Sequence, residues 1–133
     1  MPRAAAMMTG TVNIHGEPIL GVTVRAVDGS EIQLNAVVDT GFNGSLTLPA
    51  ATIAALGYSW RGRGSAELAN GQLEEFDMFA GTVLWNGSPR AVLVESAETD
   101  PLIRTALLRG MELVVQNIPG GAVLVRALPV ASP

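Results

Sequence analysis

Apolar positions along this chain fall into short runs, several of them alternating with polar or small residues, and each run ends in a turn sequence. Thr11-Val12-Asn13-Ile14 stops at Gly16-Glu17-Pro18. Residues 19–27 alternate Leu20, Val22 and Val24 with smaller or polar side chains and stop at Asp28-Gly29, and Ile32 to Val38 then leads into Asp39. A two-residue period with such stops predicts a β-meander. Pro49 to Leu56 breaks the pattern: Ile53 and Leu56 are three apart, Pro49 stands near the first turn and Gly57 follows as a stop, which predicts a short helix. Residues 65–69 and 73–79 flank Asn70-Gly71, and residues 81–85 and 90–94 flank Asn86-Gly87; Asn-Gly is the strongest two-residue signal for a type I′ hairpin. Met111 to Val115 and Ala122 to Arg126 flank Pro119-Gly120-Gly121, a further hairpin that adds to the sheet or meets a second subunit. The fold class is all-β with one or two short helices.

Composition limits what such a fold can do. The chain has 133 residues, 48% of them apolar, enough for one domain with a buried core. We expect residues 1–8 to be a loose extension, 9–128 the single domain and 129–133 a tail. Net charge is -4, and the eight cations are all arginines spread from Arg3 to Arg126, so no nucleic-acid partner is expected. With no cysteine, disulfides, a thiolate nucleophile and a cysteine-based zinc site are all excluded. No run reaches the roughly 18 apolar residues of a membrane span, and the N-terminus lacks a signal peptide's apolar stretch, so no membrane partner and a cytoplasmic location are expected.

The chemistry concentrates at Val37-Val38-Asp39-Thr40-Gly41-Phe42-Asn43-Gly44. A carboxylate at the mouth of a buried strand is costly, and the glycines at 41 and 44 permit a sharp path that gathers short polar side chains. Read alone, Asp-Thr-Gly is also a good turn sequence. His15, the single histidine, sits beside Gly16 with no serine or cysteine nucleophile motif and reads as a surface or capping residue. Glu74, Glu75 and Asp77 lack the spacing of a calcium loop and read as a solvated hairpin face; Trp60, Trp85, Phe76 and Phe79 read as core or interface packing. Asp100, Pro101 and Gly110 have the positions of an N-cap, a first helical residue and a helix stop.

With apolar strands on both sides of it, the Asp39 segment resembles the active-site loop of the retropepsin-like aspartic peptidases, and Asp39 to Gly44 is similar to their bacterial single-domain branch. The resemblance implies a closed β-barrel in which Asp39, Thr40 and Gly41 form the catalytic loop and Phe42 and Asn43 contact substrate. It also implies that Leu68, Ala69, Asn70, Gly71 and Gln72 form a flap over an extended polypeptide. Leu102-Ile103-Arg104-Thr105-Ala106-Leu107-Leu108 then matches the family's crossing strand and short helix, except that Arg104 stands where a glycine is expected and would press on the crossing strands. Carboxylate-driven peptide hydrolysis needs two acids that share a proton, and the chain carries one Asp-Thr-Gly. The resemblance therefore implies a homodimer with Asp39 from each subunit, Thr40 bracing the partner loop, and no cofactor or metal. Arg104 keeps a second reading open: a catalytically silent domain of the same fold that binds peptides or mediates dimerisation. A plain β-barrel interaction module is the third.

Overall fold

The computed structural model describes residues 7–129. Ten strands and two short helices follow one another as β1 (Met7–Val12), β2 (Pro18–Arg25), β3 (Glu31–Val38), β4 (Leu46–Leu48), α1 (Ala50–Leu56), β5 (Ser59–Glu67), β6 (Leu73–Trp85), β7 (Ser88–Ser96), β8 (Leu102–Ile103), α2 (Thr105–Leu108), β9 (Met111–Val115) and β10 (Ala122–Ala127). They form one sheet in the order β5-β6-β7-β4-β8-β3-β2-β1-β10-β9, and β6 also pairs with β2, so the sheet bends back on itself. Among the described residues no helix is long and apolar enough to cross a membrane.

Side-chain alternation decides which face is buried. In β2, Leu20, Val22 and Val24 point into the core, joined by Ala36 and Val38 of β3 and by Val123 and Val125 of β10. The short β4 is buried at Leu46, Thr47 and Leu48 alike, because β7 and β8 pair with its two edges and both faces are covered. Helix α1 sits where its spacing predicts. Pro49 is its N-cap, Ile53 and Leu56 are buried, and Gly57 closes it in the left-handed conformation with its N–H on the carbonyls of Ile53 and Ala54.

Several boundaries move. β1 begins at Met7, inside the segment expected to be loose, because Met7 and Met8 pair with Arg126 and Val125; Ile14 lies outside the strand in an exposed turn. There Asn13 Oδ1 accepts the N–H groups of His15 and Glu17, which leaves His15 exposed as expected. Residues 1–6 and 130–133, the rest of the expected extension and most of the tail, lie outside the described residues.

The hairpins divide. Asn86 and Gly87 both have positive φ, 52° and 82°, as a type I′ turn requires. At Asn70-Gly71 the expectation of a two-residue turn is corrected, since only Gly71 has positive φ. The Gly71 N–H donates to the Leu68 carbonyl and the Leu68 N–H to the Gln72 carbonyl, the three-residue turn with a glycine bulge. Asn70 Oδ1 accepts the Gln72 N–H, so the asparagine serves the turn through its side chain and needs no left-handed backbone.

A helix starting at Pro101 is likewise replaced. Leu102 and Ile103 pair in parallel with Val37 and Val38 and antiparallel with Thr47 and Leu46, and strand pairing on both sides overrides the local cap signal. The helix that follows is one turn, with Arg104 at its N-cap. Trp85 and Phe79 belong to the core region, whereas Trp60 is 58% exposed and donates its Nε1–H to Asp77. Glu75 and Asp77 pair with Arg63 on an exposed face, and no group of acids suited to a metal ion occurs among the described residues.

Candidate active site

Asp39 stands at the end of β3, where the sheet runs out of partners for its side chain but not for its backbone. The Val37 N–H donates to the Pro101 carbonyl and the Asp39 N–H to the Ile103 carbonyl, both at 2.8 Å, so β8 fixes the strand up to the acid itself. The carboxylate is half-buried, and its Oδ1 accepts the Gly41 N–H at 3.0 Å. That bond folds residues 39–41 into a tight turn and aims Oδ2 into the cleft.

The loop beyond is laced to the β8–α2 junction. The Arg104 N–H donates to the Ser45 carbonyl, the Ala106 N–H to the Gly44 carbonyl, and the Thr105 hydroxyl to the Phe42 carbonyl. Gly44 has φ of 118°, and a side chain there would collide with the Glu95 carboxylate, so both conformation and space call for glycine. Thr40, Gly41, Phe42 and Asn43 are exposed at the tip, and the Thr40 hydroxyl has no hydrogen-bond partner among the described residues.

Arg104 does not break the crossing strands, contrary to expectation. Its backbone is extended, with φ of -114° and ψ of 176°, and its side chain turns into the cleft. There Nη1 meets Glu95 Oε2 at 3.2 Å, Nε lies 4.0 Å from Asp39 Oδ2, and the guanidinium stacks over the Phe42 ring at 5.2 Å. Nε is shut off from solvent and makes no hydrogen bond among the described residues. Burial pushes the Glu95 carboxyl above its usual range, and the Arg104 charge partly offsets that rise.

The β5–β6 hairpin arches over this floor and encloses a cleft of about 550 Å³, whose walls include Asp39, Phe42, Leu68, Phe76, Glu95 and Arg104. A second hollow of about 550 Å³ opens on the other side of Phe42, against residues 40–44 and 65–67. Of the five flap residues singled out from the sequence, Leu68 lines the cleft, while Ala69, Asn70, Gly71 and Gln72 form the exposed tip and line neither hollow. Sequence reasoning missed Phe76 and Glu95. A signal for Glu95 existed: Ala91-Val92-Leu93-Val94-Glu95 ends an apolar strand in an acid, the same pattern that marks Asp39.

No protein-family model matches the chain, and neither does any curated protein. Among solved structures, a retropepsin-like aspartic protease from Rickettsia conorii is similar to it, with a TM-score of 0.60 and 11% sequence identity over 96% of this chain and 98% of that one. At that identity the likeness is one of fold: the chain is mostly β-sheet, arranged along nearly its whole length as in a retropepsin-like aspartic protease.

Proposed function

We propose that this chain is one subunit of a homodimeric aspartic endopeptidase, a retropepsin-like barrel with Asp39 at the floor of its cleft. The observation that carries the reading is the placement of that acid. Its backbone is locked by β8, its carboxylate is oriented by the Gly41 N–H, and a long hairpin covers it, in a fold shared along its length with a retropepsin-like aspartic protease. Two Asp39 carboxylates meeting on a two-fold axis share a proton; the charged one takes a proton from water while the other polarises the scissile carbonyl. Thr40, exposed and with its hydroxyl unpartnered among the described residues, braces the opposite loop, and an extended polypeptide lies between the hairpin and the floor, held by added strand hydrogen bonds. The residues need neither metal nor cofactor for this chemistry.

A second reading, a silent peptide-binding or dimerisation domain, is favoured by one observation: a cation stands 4.0 Å from Asp39 at the position where a glycine is expected. Digestion of an unfolded protein mixture across about pH 3 to 8 separates the two readings. The peptidase loses about 10²-fold to 10⁴-fold in cleavage rate on Asp39→Asn, the usual contribution of general acid–base catalysis, with its light-scattering mass unchanged. No cleavage by folded wild-type dimer at any pH in that range selects the silent domain.

A further inference from the structure

We infer that Arg104 is a further catalytic residue, a donor that joins the protonated Asp39 of the second subunit in binding the scissile carbonyl oxygen and stabilising the negative charge it acquires; the inference rests on the peptidase reading of the cleft. Two contacts hold the guanidinium and a third the Arg104 backbone. Glu95 holds Nη1, the Phe42 ring lies against its face, and the Arg104 backbone N–H is tied to Ser45. Nη2 makes no hydrogen bond among the described residues, and the side chain borders both hollows that flank Phe42. A guanidinium held through Nη1 with Nη2 free is a preorganised donor, and such donors act most strongly where charge develops in a partly water-excluded site.

Its neighbour sets what it can do. Asp39 Oδ2 lies 4.0 Å from Nε, too far for a hydrogen bond, so acid and cation stand side by side on the wall of the cleft without a direct bond. The other charged groups on the walls are Glu74 and Glu75 from β6 and Glu98 beyond β7, with Glu67 of β5 across Phe42. All are acids, which leaves Arg104 as the single cation among the lining residues able to receive an oxyanion.

The step balances with these groups. The Asp39 carboxylate takes a proton from water as the water oxygen bonds to the carbonyl carbon. The carbonyl π pair moves onto oxygen, which accepts hydrogen bonds from Arg104. On collapse that pair returns, the C–N bond breaks, and the proton on Asp39 passes to the leaving nitrogen. Arg104 keeps its protons throughout, and adds its charge to the polarisation that the protonated Asp39 of the second subunit supplies. Glu95 is a positioning residue that holds the guanidinium at this spot.

The test compares wild type with Arg104→Gly, Arg104→Gln and Arg104→Lys, each checked for folding by thermal melting. Two probes built on one apolar hexapeptide accompany the cleavage assay: a phosphinate, which carries the anionic tetrahedral oxygen, and a neutral hydroxyl isostere. Arg104→Gly and Arg104→Gln are expected to lower kcat about 100-fold with little change in KM, as for loss of an oxyanion donor. They are also expected to weaken the phosphinate at least about tenfold while barely moving the hydroxyl isostere, with Arg104→Lys intermediate. That affinity ratio does not respond to a merely structural role. Wild-type cleavage that persists or rises in Arg104→Gly, the glycine form of the motif, overturns the inference alone. A wild-type chain that cleaves nothing and binds neither probe overturns the peptidase reading together with it.

Discussion

The floor of the cleft and the hairpin above it are built in opposite ways from the same sheet. The floor is made of short strands, β4 and β8, whose side chains are buried nearly without exception and whose backbones are paired on both edges. The hairpin is made of long strands: the outer part of β5 alternates exposed and half-buried side chains, that of β6 is exposed from Leu73 to Glu75, and they meet in the exposed tip 69–72. Burial and pairing on every side leave the floor a single arrangement, so Asp39 is held in place. The outer hairpin buries little and is joined to the remainder mainly through its base, the condition for local opening at small cost. A rigid floor under a loosely held cover is what an extended polypeptide needs in order to enter and still meet a fixed acid.

Mutations at matched positions sharpen that contrast. Ile103→Ala, in the fully buried floor, is expected to cost about 2–5 kcal/mol in urea unfolding, the range for deleting a large apolar side chain from a packed site. Gly44→Ala is expected to cost about 1–3 kcal/mol, since it forces a side chain into positive φ and against Glu95. Its effect on kcat should exceed what that loss of stability explains, because it displaces the loop that carries Asp39. In the hairpin, Leu68→Ser should leave stability within about 0.5 kcal/mol while raising KM, because Leu68 is half-buried and faces the cleft. An unfolding loss as large as that of Ile103→Ala would show that the hairpin belongs to the rigid core after all.

The smallest expected effect is one of pH. Burial raises the Glu95 carboxyl above its ordinary value, so the folded state holds that proton more tightly than the unfolded chain does. Its contribution to stability is complete below the ordinary carboxylate value and is lost as pH rises through the raised one. The difference in urea midpoint between wild type and Glu95→Gln, measured from about pH 4 to 7, should fall with rising pH. A flat difference would mean that the Arg104 charge fully offsets the burial.

Much of the fold was legible in the chain. The alternation of Leu20, Val22 and Val24 named the inward face of β2, Gly57 named the end of α1, and Asn86-Gly87 named its turn, because each depends on contacts within a few residues. The strand β5 was legible only from Ser65 onward; its first half, Ser59 to Gly64, carries two glycines, and pairing with β6 supplies the order that propensity does not. In the segment 100–110 only the local cap signals misled, since the edges of β3 and β4 claim Leu102 and Ile103 first; the crossing strand and short helix that the resemblance implied there match β8 and α2.

The site divides along the same line. The sequence by itself determined which acid ends an apolar strand in a turn that orients its carboxylate, because Asp39, Thr40 and Gly41 are neighbours and their hydrogen bond is local. Only the tertiary structure decided what surrounds that acid. Glu95 comes from β7 and Arg104 from beyond β8, and their meeting with Asp39 and Phe42 depends on which strand edges pair across the sheet. Charge in a cleft acts through distance, and distance between residues far apart in the chain is set by the packing of the strands that carry them.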